Sequence, residues 1–170
     1  STFSSRTRIT SGAWPKRCAP CTRTRGACAA CAWTPTRLSS NVLRLEALEL
    51  VTPDGDAVNA PADDALPAPF NLSALPATAH DVVFHAALAT TRSSGANVAM
   101  NGADRDGARR YATQAQPTAD LFTQATQADL TYLQRVVRLL PDHEPREHLV
   151  SVPVCRLRRN AAGTFELDTT

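Results

Sequence analysis

Lysine is nearly missing from this 170-residue chain, where Lys16 stands alone beside seventeen arginines. No apolar run approaches the roughly 18 residues that a membrane-spanning helix needs, so no such span is expected. No basic, then apolar, then small-residue succession opens the sequence, which argues against a secretory leader. There is no G-x-S-x-G elbow, no glycine loop able to cradle phosphate and no arguable pair of catalytic carboxylates. These residues offer no enzyme. The chain starts at Ser1 and stops after FELDTT without a helix cap or charged tail, so both ends read as cut.

Acidic residues are missing from one part only. Residues 1–40 contain no Asp or Glu but hold seven basic groups, both Trp and four of the five Cys. Residues 41–170 hold eleven Arg against sixteen acids, a net charge of −5. A basic arm on an acidic body could meet nucleic acid or an anionic surface.

What the body does have is short apolar alternation broken by turn residues. NVLRLEALELV (41–51) sets Leu43, Leu45 and Ala47 against Arg44 and Glu46, a strand pattern. TPDGD follows as a tight turn in which Gly55 supplies positive φ. Five prolines between Pro53 and Pro76 predict an extended surface crossing, anchored by Phe70, Leu72 and Leu75. DVVFHAALA (81–89) reads as a short buried strand, and residues 90–110 as a long polar loop. Further strands are expected over 110–116, 130–140 and 148–158. GTFEL closes the set after an NAAG turn at 160–163. Many short strands with little helical periodicity predict an all-β fold, a β-sandwich.

Several residue groups invite a site. DRDG (104–107) fails as a calcium loop, because Gly102 and Thr113 would stand where its first and last carboxylates belong. His143 and His148 lie five apart, a spacing that suits neither one helix face nor alternate strand positions, and read as a charged surface loop. Arg135, Arg138, Arg156, Arg158 and Arg159 could converge as a basic stripe. Nucleic-acid binding would need interleaved aromatics, and only Tyr132 is near, so a solvated or subunit-facing surface is expected instead.

In the order LRLEALELVTPDGDAVNAPADDALPAP (43–69), VVFHAALA (82–89), RRYATQ (109–114), LTYLQRVVRLL (130–140) and HLVSVPVCRLRRNAAGTFELD (148–168), the body resembles the TssK (ImpJ/VasE) family of type VI secretion baseplate subunits. The resemblance implies a β-sandwich shoulder and a structural role without catalysis or cofactor. It further implies a homotrimer docked on TssF and TssG. The family's neck and head, which join the baseplate to the TssJ–TssL–TssM membrane complex, lie beyond this chain. The place of action would be cytoplasmic, at the inner-membrane-associated baseplate, with neither nucleic acid nor membrane insertion involved. No individual contact residue carries over.

Residues 1–40 do not share the resemblance. Arginine-rich, lysine-poor composition indicates a GC-rich gene, which narrows back-translation. Read one frame away, CTRTRGAC (21–28) can give HPYPWGVR, in which PWGVR is characteristic of the family's N-terminus, and STFSSRT (1–7) can give HFQQQD. The leader is therefore read as out-of-frame translation, non-native and without architecture of its own. Two further readings stand beside this one. Cys18, Cys21, Cys28 and Cys31 form two C-x2-C pairs, the thiolate pattern of a zinc-dependent nucleic-acid-binding module, although their six-residue spacer is short. A carbohydrate- or receptor-binding sandwich is the other, by fold analogy alone.

Overall fold

A computed structural model of the chain describes residues 32–36, 41–95, 97–99, 109–119 and 127–168; residues 32–36, 119, 127 and 128 are described as backbone only. Eleven strands are found among them: β1 (Ala32–Thr36), β2 (Val42–Val51), β3 (Ala57–Ala60), β4 (Phe70–Asn71), β5 (Asp81–Ala89), β6 (Val98–Ala99), β7 (Tyr111–Ala119), β8 (Gln127–Arg135), β9 (Arg138–Pro141), β10 (Leu149–Arg159) and β11 (Phe165–Leu167). One sheet runs β1-β2-β3, with β4 also on β2; a second runs β11-β10-β5-β9; a small third runs β6-β7-β8. The first two share one apolar core, and the ring of Phe70 meets that of Phe84 edge-on at 5.0 Å between them. The expected β-sandwich is present.

β2 explains why these residues make a core. Leu43 and Leu45 are buried, and so are Leu48 and Leu50, so the inward set changes phase in mid-strand. The register shows how: Pro35 pairs with Leu45 but Trp33 with Leu48, leaving Glu46 and Ala47 opposite one residue of β1. That extra residue is a β-bulge, and it lets four leucines face inward where strict alternation would turn two outward. The expected inward place of Ala47 passes to Leu48, and Ala47 is only half-buried.

β10 uses the same device. Pro153 pairs with His85 and Cys155 with Phe84, which makes Val154 the extra residue. Val152, Val154, Cys155 and Leu157 are all buried while Pro153 is exposed. A bulge is also where a strand tolerates a residue that has no N–H to donate.

Other expectations are met more simply. Gly55 turns the β2–β3 hairpin at φ 93°, and its N–H donates to the carbonyl of Thr52 at 2.9 Å. Leu72 and Leu75 are buried and Phe70 packs against the core, so the proline-rich crossing is anchored as read. Part of that crossing is not loop, because Ala57–Ala60 pairs with β2. The stretch 130–140 divides: β8 ends at Arg135 in the small sheet, and β9 starts at Arg138 in the main one. Five residues of the leader, 32–36, form β1 on the flank of β2. The rest of the leader lies outside the described residues, as do Cys18, Cys21, Cys28 and Cys31 and the DRDG turn.

Candidate interaction surface

β7 and β8 pair continuously from Tyr111–Arg135 to Ala119–Gln127, forming a nine-residue two-stranded arm. β6 covers only its base, pairing Val98 with Tyr111 and Ala99 with Ala112. Among the described residues, the exposed large apolar side chains all sit on this arm: Leu130 at 44%, Tyr132 at 44% and Leu133 at 56%. Leu130 and Tyr132 share one face by the two-residue period, and Leu133 takes the other. β7 carries no charged residue, and β8 carries Asp129 and Arg135. A ribbon with only two charged residues and with apolar side chains on both faces is suited to protein contact, since an isolated hairpin is marginal in water.

The arm is fastened at its base by buried ions. Arg110, 1% exposed, is the largest fully buried side chain of the described residues. Its Nη2 lies 2.7 Å from Asp54 Oδ2 and 2.7 Å from Asp56 Oδ2, its Nε donates to Asp56 at 2.8 Å, and its Nη1 donates to the Ala89 carbonyl at 2.7 Å. The neighbouring Tyr111 hydroxyl donates to Asp56 at 3.2 Å. Across the ladder, the Arg135 N–H donates to the buried Asp64 carboxylate at 2.8 Å, and its guanidinium lies 3.4 Å from the same group and 3.8 Å from Asp56. Asp64 also accepts from the Asn59 N–H at 3.2 Å, which holds it on the turn after β3. Three carboxylates from the β2–β3 hairpin and its following turn thus grip the first and last positions of the arm.

The electrostatics agree with the geometry. Burial alone would raise the Asp56 carboxyl, but the hydrogen bond and charge of Arg110, the Tyr111 hydroxyl and the charge of Arg135 together hold it below its ordinary value. Burial works against the charged form of Arg110, and its carboxylate partners and Tyr111 outweigh that, leaving its pKa raised. A buried charge is tolerable when paired and hydrogen-bonded in this way.

The residues singled out in the sequence do not gather here. Arg156 pairs with Asp81 at 2.9 Å, Arg158 with Asp168 at 3.1 Å, and Arg159 lies over the Phe165 ring at 4.7 Å. Arg138 is on β9, separated from β10 by β5, so no continuous basic stripe forms. His143 and His148 are exposed in the turn before β10. Among the described residues, no three His, Cys, Asp or Glu side chains form a group able to hold a metal. The clamp itself was missed, because its members look like turn and loop polars. A consecutive Arg-Arg-Tyr at a strand start is the one trace of it in the sequence.

No curated protein matches the sequence. Solved structures do match in fold. The type VI secretion TssK–TssF–TssG baseplate subcomplex contains a chain with TM-score 0.73 and 24% identity, over 85% of this chain and 47% of that one. TssK of the EAEC type VI system, solved with nanobody nb18, gives 0.62 and 23% over 83% and 44%. A chain of the type VI baseplate complex gives 0.72 and 23% over 85% and 32%. The chain spans under half the length of these relatives. Residues 28–170 match the model of the bacterial type VI secretion family described as VC_A0110, EvfL, ImpJ and VasE, and the chain belongs to that family.

Proposed function

We propose that the chain is a structural subunit of a bacterial type VI secretion baseplate, acting through surfaces and not through catalysis. The family match over residues 28–170 carries the reading. The likeness to a chain of a TssK–TssF–TssG subcomplex supports it. On this reading TssF and TssG are its neighbours and sister copies complete a homotrimer. The TssJ–TssL–TssM membrane complex is engaged through parts of the family protein that exceed this chain, on the cytoplasmic side of the inner membrane. The clamped arm is the surface best suited to such assembly, because interfaces centre on apolar and aromatic side chains with few charges.

Co-purification tests this. Co-expressed with TssF- and TssG-type subunits from the same genome, the folded chain is expected to be retained with them. Leu133→Asp with Tyr132→Asp should lower its recovery roughly tenfold, since both side chains are exposed and the fold does not need them. A folded wild-type chain that is not retained overturns the assignment.

The same reading treats residues 1–40 as an out-of-frame leader joined to a native body, 41–170, although the family match itself reaches back to residue 28. β1 is compatible with this, because a ladder is made by peptide groups that every residue but proline carries in full. The coding DNA decides it. A single-base slip upstream of codon 41 that reopens HPYPWGVR is expected, and an uninterrupted gene encoding the leader as it stands overturns it.

A further inference from the structure

β9 and β10 lie on either side of β5 and are each antiparallel to it, so they run parallel to one another. β9 ends with Pro141 opposite Phe84, and β10 starts with Leu149 opposite Ala89. Residues 142–148 must therefore travel back along β5 from the level of Phe84 to that of Ala89, and cross it on the way. The core side of β5 is filled by Phe84, Ala86 and Leu88, which leaves the outer face as the route. His85 and Ala87 point to that outer face by the two-residue period. Ala87 is 0% exposed and Leu140, opposite His85, is 5% exposed, although neither belongs to the main core. A strap formed by 142–148 accounts for their cover.

The strap is short for this path. The distance back along β5 and across two strand spacings is about 19 Å, against at most about 26–29 Å for the fully extended chain. A turn tightens each end: the Glu144 N–H donates to the Pro141 carbonyl at 3.1 Å, and the Leu149 N–H to the Arg146 carbonyl at 3.0 Å. Little slack is left. His85 sits half-buried beneath it. Asp142 of the strap accepts from the Val83 N–H at 3.3 Å, and Arg146 Nη2 donates to the Asp142 carbonyl at 3.5 Å. His85 Nδ1 and Arg146 Nη1 are both buried with no hydrogen-bond partner among the described residues. Other charges around this face come from each flank. On β10, Pro153 is opposite His85, and Arg156, opposite Val83, pairs with Asp81 of β5. On β9, Arg138 stands opposite Ala87. The strap itself adds Glu144 and the exposed His143, Glu147 and His148.

We propose that residues 142–148 form a proton-operated latch: the strap stays seated while His85 is neutral, and protonation of His85 lifts it and uncovers Ala87 and Leu140. A protonated ring places a second positive charge under a taut segment whose guanidinium already has an unpaired, buried nitrogen. Burial first, and the charge of Arg146 second, hold the His85 pKa below its ordinary 6.5, against the opposing charge of Asp142. The proton is thus bound more readily with the strap lifted. The seated form is fully favoured above about pH 6.5 and loses ground as pH falls through its own lower value. The latch is a property of the single chain and stands apart from the baseplate reading.

Amide protection factors of the full chain in reducing buffer, at pH 7 and pH 5, test it, since they remove the intrinsic pH dependence of exchange. Protection of Glu144, of Leu149 and of Thr90, whose N–H meets the His148 carbonyl at 3.1 Å, is read. It should fall by roughly threefold or more at pH 5, while β2 is unchanged. His85→Asn, neutral throughout, should abolish the fall, and His143→Asn with His148→Asn should keep it. By NMR the His85 ring should titrate below 6.5, and Arg146→Met should raise its pKa. Three results each overturn the proposal: equal protection at both pH values, an equal fall in His85→Asn, or a fall that vanishes when His143 and His148 are replaced. Where His85→Asn does not fold, a ring titration unmoved by Arg146→Met overturns it instead.

Discussion

Replacing Arg110 with Met is expected to make the protein about 3 kcal/mol easier to unfold in denaturant, the low end of the cost of breaking a buried ion pair. Met keeps much of the buried hydrocarbon but removes every contact to Asp54, Asp56 and the Ala89 carbonyl. The carboxylates left behind retain some solvent, Asp54 at 37% and Asp56 at 28%, which is why the low end applies. Amides of β7 and β8 should lose exchange protection before those of β5 and β10, because the clamp joins the arm to a sandwich whose core is elsewhere. Asp56→Asn combined with Arg110→Met should cost less than the two changes summed, as expected for partners in one network. A loss below about 1 kcal/mol in Arg110→Met would show that the clamp is ornamental.

Acid gives a second view of the same clamp. The Asp56 pKa is depressed in the folded protein, so its stabilisation is complete above the ordinary Asp value near pH 3.9 and is lost as pH falls through the lower folded value. That part of the acid limb should flatten in Arg110→Met, where the largest favourable partner is gone.

How far the sequence disclosed this molecule depends on the range of the interactions involved. Strand type and turn placement come from neighbours in the chain, and both were legible: Gly55 needs its positive φ, and Phe70, Leu72 and Leu75 do anchor the proline-rich crossing. Bulges were not legible. LRLEALEL and VPVC give no local sign that Ala47 or Val154 will sit where two residues face one, because a bulge is set by the partner strand's register. The break between Arg135 and Arg138 was hidden for a related reason. Both halves of LTYLQRVVRLL have strand pattern, and only their different sheets distinguish them. The clamp was least legible of all, since Asp56 and Arg110 stand 54 residues apart and Asp64 and Arg135 stand 71 apart. In sequence such residues look like solvated loop charges. Their meaning appears only when the fold removes the water.

Phe84→Ala should be the most damaging change within the core, lowering stability by about 3–5 kcal/mol. Phe84 is 0% exposed and lies on β5, the strand that β9 and β10 flank. Its ring meets Phe70 of the opposite sheet at an interplanar angle of 69°, so truncation opens a cavity between the layers and also removes an edge-to-face pair worth about 0.5–1.5 kcal/mol. Collapse to fill that space is restricted, because the Phe84 backbone is fixed opposite Cys155 beside the β10 bulge and opposite Pro141 on β9. Phe84→Leu should recover more than half of the loss by keeping most of the volume. Phe70→Leu, at a half-buried position, should cost less than Phe84→Leu. The double variant Phe70→Leu, Phe84→Leu should fall short of the sum by the energy of the ring pair. Denaturant midpoints at constant slope measure all four. Additivity within about 0.3 kcal/mol would mean that the rings contribute only as buried volume, and that the two sheets are held together by aliphatic packing alone.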